Sequence, residues 1–176
     1  ATWTTAVGTG AGAAITTGTQ NTFIGGGAGD ATTTGASNTS IGYASLGSNT
    51  TASNNTGLGY AALAANTTGS ENTAVGRNAL DANTTGTNHV AMGNGALGAN
   101  TTASYNTGIG EQALAANTTG AANVALGSYA LDANTTASDN TAIGASSLTT
   151  NTTGANNVAV GRDALGANTT ANDNTA

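Results

Sequence analysis

Asn72-Thr73-Ala74-Val75-Gly76-Arg77-Asn78-Ala79-Leu80-Asp81-Ala82-Asn83-Thr84-Thr85-Gly86-Thr87-Asn88 is one full period of this chain. A step of 17 residues in either direction lands on the same pattern. Its opening motif returns forward as His89-Val90-Ala91-Met92-Gly93 and Asn106-Thr107-Gly108-Ile109-Gly110, and backward as Asn55-Thr56-Gly57-Leu58-Gly59. Ten copies follow one another without insertion or deletion: 4–20, 21–37, 38–54, 55–71, 72–88, 89–105, 106–122, 123–139, 140–156 and 157–173. Residues 1–3 start the array, and 174–176 open an eleventh copy. Strict self-similarity of this length marks an array rather than a globular domain.

The copies can be compared column by column. The Val75 column is a large apolar residue in ten of ten copies and the Gly76 column is Gly in ten of ten. The Leu80 and Asn83 columns hold their residue in eight of ten, and Thr84 and Thr85 head columns that are Thr throughout. Leu80 is replaced only at Gly12 and Gly29. All ten charged residues fall in four columns: Arg77, Glu111 and Arg162; Asp163; Asp30, Asp81 and Asp132; Glu71, Asp139 and Asp173. Unpaired charges are almost never buried, so these four columns should face water.

Composition alone would point to disorder. Of 176 residues, 38 are Ala, 36 Thr, 27 Gly and 23 Asn, and large aliphatic residues are scarce. The period reverses that reading by giving the few large residues fixed places. Two Arg, no Lys and eight acids leave a net charge of −6, which argues against nucleic acid and anionic membranes as partners. No Cys is present for disulfides or thiolate metal sites. No apolar run approaches the ~18–20 residues of a membrane span.

Seventeen residues are too few for a pair of helices, and a fixed Gly with a Thr-Thr pair weakens any helix. The expected fold is all-β: a parallel β-solenoid of ten 17-residue coils, with equivalent residues stacked ~4.7–4.9 Å apart. Two short strands per coil are expected, one over residues 73–75 and one around 79–82. Alternation would put Thr73 and Val75 on one face and Ala74 on the other. The expected core joins Val75, Met92, Ile109 and Leu126 to Leu80, Leu97, Leu114 and Leu131. The small, uncharged Ala74 column then becomes the surface that packs against other copies of the chain. The Gly76 column suggests a positive φ or a close backbone approach. Asn49, Asn66, Asn83, Asn100, Asn117, Asn134, Asn151 and Asn168 are expected to form an amide ladder between coils, as in stacked cross-β arrays. The lack of Pro fits backbone pairing along the whole axis.

The Asn-Thr-Ala-Val-Gly motif and its variants, especially Asn157-Val158-Ala159-Val160-Gly161 and Asn123-Val124-Ala125-Leu126-Gly127, resemble the head repeats of YadA-type trimeric autotransporter adhesins. The longer pattern from Asn140-Thr141-Ala142-Ile143-Gly144 through Leu148 to Asn151-Thr152-Thr153-Gly154 resembles repeats of bacteriophage tail fibres. The resemblance covers nearly the whole chain. It implies a left-handed β-roll, three chains side by side as a homotrimer, and an extracellular, cell-surface or virion location. The copies here are longer than the usual adhesin repeat, and Thr stands where that motif has Ser.

No constellation supports catalysis, a metal or a cofactor, so the chain reads as a non-enzyme. His89 is the one His and substitutes for Asn in its column. The acids lie on different coils. Gly25-Gly26-Gly27-Ala28-Gly29-Asp30 lacks the Lys-Ser/Thr of a phosphate loop and occurs once, so it reads as a degenerate coil. Tyr43 and Tyr60 share a column in adjacent coils and could stack. With Arg77, Tyr105 and Tyr129 they are the candidate contacts to a receptor or glycan. Asn-Thr-Thr is formally a glycosylation acceptor, although a ladder would occupy the amide. The leading expectation is a structural and adhesive fibre segment that associates with itself, side by side and end to end into a filament. The alternative is an ice- or crystal-surface-binding solenoid using stacked Thr columns. Against it, Thr84 and Thr85 are adjacent and should point to opposite faces.

Overall fold

The computed structural model describes residues 3–176. It is all-β. Each repeat contributes one three-residue strand: β1 Thr5–Val7, β2 Thr22–Ile24, β3 Thr39–Ile41, β4 Thr56–Leu58, β5 Thr73–Val75, β6 Val90–Met92, β7 Thr107–Ile109, β8 Val124–Leu126, β9 Thr141–Ile143 and β10 Val158–Val160. The strands form a single parallel sheet in sequence order, each paired with the equivalent residues one repeat away. Nine full turns of a β-solenoid join them.

The expected second strand does not form. Over residues 76–83 the chain makes consecutive tight turns, with Ala79 N–H donating to Gly76 O and Asn83 N–H to Leu80 O. Asn78 and Leu80 both take φ 54°, in the left-handed region. This breaks the two-residue alternation, so Ala79 and Leu80 are adjacent in sequence yet both buried. Backbone pairing between coils survives without a strand: Leu80 N–H donates to Ala96 O at 2.9 Å, and Asn78 N–H to Tyr60 O at 2.9 Å. Left-handed backbone costs a non-glycine residue ~1–2 kcal/mol. Burying a Leu stabilises by ~1.5–3 kcal/mol, which offsets it.

The core is also inverted relative to the expected one. Val75, Met92, Ile109 and Leu126 do not face inward. Met92 is 40% and Ile109 37% exposed, and Val75 and Leu126 are half-buried. Ala74, Ala91, Ala125 and Ala142 are the buried members of the strand and pack with Leu80, Leu97, Leu114 and Leu131. The Ala74 column is therefore lumen, not a surface for other copies. The physical reason is width. The turn segment brings Leu80 across the coil toward the strand, and the space left opposite it fits only a small side chain. The strand alternation holds, but with the opposite phase, which sends the whole Val75 column outward.

One coil confirms which columns face each other. Phe23 is the only large residue in the Ala74 column and is fully buried. A Cβ on Gly29 would lie 2.5 Å from its ring, and one on Gly12 2.8 Å from it. Gly12 and Gly29 are the two copies without the Leu, so one Phe fills the volume of two missing side chains.

Candidate functional site

Two Asn columns make the polar half of the interior. In the first, Asn83 Nδ2 donates to Asn66 Oδ1 at 2.8 Å, and Asn100 Nδ2 to Asn83 Oδ1 at 3.0 Å. The ladder runs from Asn49 through Asn117, Asn134 and Asn151 to Asn168. The second column is Asn72 and its equivalents. Asn72 Oδ1 accepts from His89 N–H at 3.0 Å, and Asn72 Nδ2 donates to Gly86 O at 3.0 Å. Asn83 Nδ2 donates to the same Gly86 carbonyl at 3.0 Å. Both columns thus converge on residue 86, in a column of small residues, six Gly and four Ala. A Cβ on Gly86 would lie 2.5 Å from Asn83 Oδ1 and 2.8 Å from His89 Nε2. Sequence reading named the first ladder and missed the second. The signal for the second was the Asn that opens eight of the ten motifs. Because the Asn-Thr-Thr amides from Asn49 to Asn151 are buried and bonded, they are inaccessible to a glycosylating enzyme in the folded chain; Asn168, in the last complete coil, is only half-buried.

His89 performs the Asn role with different atoms. Its Nδ1 accepts from Asn106 N–H at 3.2 Å, and its Nε2 lies 2.7 Å from Ala103 O. That pairing assigns the proton to Nε2. Asn100 Nδ2, 3.1 Å from the same nitrogen, already donates to Asn83 Oδ1 and Ala103 O and forms no bond with it. Burial lowers the imidazole pKa below its ordinary 6.5, and the Ala103 and Asn106 contacts oppose that shift. Above about pH 6.5 the ring is neutral folded and unfolded, and stability is independent of it. As pH falls below that value the unfolded chain takes up the proton first, so stability is lost until the depressed folded value is reached. His89→Asn should remove this acid loss. Denaturant midpoints at about pH 8 and about pH 5 check it. A variant that loses as much stability as the parent between them would refute the assignment.

The outside offers two features. The outer sheet face carries the Thr73 and Val75 columns together, because both point away from the Ala lumen. Ile24, Leu58, Met92, Ile109 and Ile143 are exposed along it, and neither column contains a charged residue. The Thr-Thr columns are split: Thr84 is half-buried, with its hydroxyl donating to Thr101 O at 3.0 Å, while Thr85 is exposed. On the turns, the Tyr43 and Tyr60 rings stack with centroids 5.6 Å apart and planes at 14°. Tyr105 and Tyr129 are exposed on other columns, and Arg77 projects into solvent. The four charge-bearing columns are exposed or half-buried, and desolvation raises the pKa of half-buried Asp81. Arg162 and Asp163 form an exposed ion pair at 3.4 Å, a type that adds little stability. Among the described residues, no group of three or more His, Asp or Glu side chains converges as a metal site would require.

The chain is a parallel β-solenoid with an amide-laddered interior. No protein-family model, curated protein or solved structure matches it.

Proposed function

We propose that this solenoid is a rigid structural segment of an extracellular or virion-borne fibre, assembled side by side with copies of itself through the outer sheet face. The observation that carries the reading is the uncharged, partly exposed aliphatic column running across all ten strands. At ~4.8 Å per strand the face is roughly 45 Å long. Two outward residues on each of ten strands give twenty side chains, close to the ~20–30 residues per side of a stable interface. A continuous apolar strip of this kind marks an association surface in soluble proteins. Three such faces turned toward a common axis would bury the aliphatic column in the centre, with the Thr column at its margin. The resemblance to trimeric adhesin and tail-fibre repeats supports the trimer, a left-handed coil and the outside location. Stacking end to end would extend the same sheet into a filament.

Ile109→Lys tests the interface directly. The side chain is outside the lumen, so the circular dichroism spectrum should be unchanged while a charge enters the strip. Sedimentation equilibrium should find a trimer for the parent and a monomer for the variant. A parent that stays monomeric at high concentration would overturn self-association.

A second reading, ice or crystal-surface binding, is favoured by one feature: the outer face aligns the Thr73 column, Thr in seven of ten coils, with the Val75 column in regular ranks. It uses these columns rather than Thr84 and Thr85. Thermal hysteresis of a monomeric parent, lost in Ile109→Lys, would support it over the fibre.

A further inference from the structure

The second coil departs from its neighbours on the turn columns. Where the next two coils carry Tyr43 and Tyr60, it carries Gly26. Gly27 and Gly47 nearby also lack side chains. Together they leave an open cleft of about 600 Å3, bordered by Tyr43, Asp30, Ser48 and Thr9. Tyr60 covers one face of the Tyr43 ring. The other face looks over Gly26, where a Cβ would lie 3.4 Å from Tyr43 Cδ2. The Asp30 carboxylate lies over the two other glycines: Oδ1 is 3.6 Å from the Cβ position of Gly47, and Oδ2 3.9 Å from that of Gly27. Neither residue has a side chain to cover those oxygens.

These groups match one class of ligand. An uncovered aromatic face accepts the C–H face of a saturated ring. A carboxylate and a hydroxyl at its edge satisfy ring hydroxyls, and hydrogen bonds to a charged acceptor are the stronger kind. The carboxylate, with no Arg lining the cleft, disfavours anions. One aromatic face is far from the cage of rings that holds a quaternary ammonium. The volume falls in the ordinary ~300–1,000 Å3 range for small-molecule sites. We propose that this cleft binds a neutral sugar ring, stacked on Tyr43, with its hydroxyls donating to Asp30 and exchanging hydrogen bonds with Ser48. The site lies outside the Thr73 and Val75 columns, so it goes beyond the fibre reading and stands whether the chain is monomeric or trimeric.

Saturation-transfer NMR on the full chain, with the methyl glycosides of glucose, galactose and N-acetylglucosamine as probes, tests it. Transfer to the ring C–H protons of at least one probe is expected. Tyr43→Ala should abolish it, and Asp30→Asn should weaken binding about tenfold. Gly26→Tyr is the sharper variant. It places a third ring on the open face, at a position where a Cβ makes ordinary contact, so the fold should persist by circular dichroism while transfer disappears. Three results would each overturn the proposal: no transfer to any of the three glycosides, undiminished transfer in Gly26→Tyr, or tetramethylammonium binding more tightly than every sugar.

Discussion

Gly76→Ala should cost about 2–6 kcal/mol, combining backbone strain and overpacking. Gly76 has φ 136°, which a side chain disfavours. A Cβ there would lie 2.5 Å from Gly93 O and 2.7 Å from Gly93 C, both backbone atoms held in the next coil's ladder. Neither can move without disturbing the strand pairing on each side. The last complete coil supplies the control. Gly161 has φ 131°, but a Cβ there meets only Ala164 Cβ, at 3.9 Å. Gly161→Ala therefore keeps the strain and loses the collision. Its cost should fall to about 1–3 kcal/mol. Denaturant unfolding of the two variants separates the terms, and equal losses would show that inter-coil approach does not explain the invariant glycine.

Asn83→Asp is nearly isosteric and should still cost about 3–6 kcal/mol at neutral pH. It removes both Nδ2 donations, to Asn66 Oδ1 and to Gly86 O, and aims a carboxylate oxygen at two acceptors. Burial and those acceptors raise the folded carboxyl pKa above its unfolded value of about 3.9. The folded state then binds the proton first as pH falls. Stability lost at neutral pH should return progressively on acidification, most fully below the unfolded value. The measurement belongs in a His89→Asn background, where the imidazole's opposing acid loss is absent. A deficit that does not shrink between about pH 7 and about pH 4 would refute a buried ladder.

The period, the parallel stacking and the first Asn ladder were legible in the sequence because each is written ten or nearly ten times. The phase of the strand was not. Hydrophobicity argues that Val75 is inside and Ala74 outside, and this fails because the lumen is too narrow for both Val75 and Leu80. The deciding clue was local: Phe23 stands in the Ala74 column between Gly12 and Gly29, the two copies without Leu. Volume compensation of that kind puts the two columns face to face. The missing second strand was hidden for a different reason. Residues 79–82 read as a strand by their in-and-out alternation, yet Leu80 takes a left-handed backbone that its residue type disfavours and that becomes visible only through tertiary packing. The Tyr43 cleft was half legible. The tyrosine pair could be read from column spacing, but the cavity is made by the absence of side chains at Gly26, Gly27 and Gly47, and an absence has no hydrophobic signature.

The register of the sheet is constant, every strand residue pairing with the residue 17 positions away through all nine turns. Length is therefore a quantised, modular property of this molecule. A recombination event that excises or duplicates one period rejoins every column in frame. It changes the reach of the rod by roughly 4.8 Å without altering the contacts of any remaining coil beyond its nearest neighbours. A gene of this form can be tuned like a ruler, one graduation at a time, whereas loss of a single residue would leave one coil short and break the register where that coil meets its neighbours.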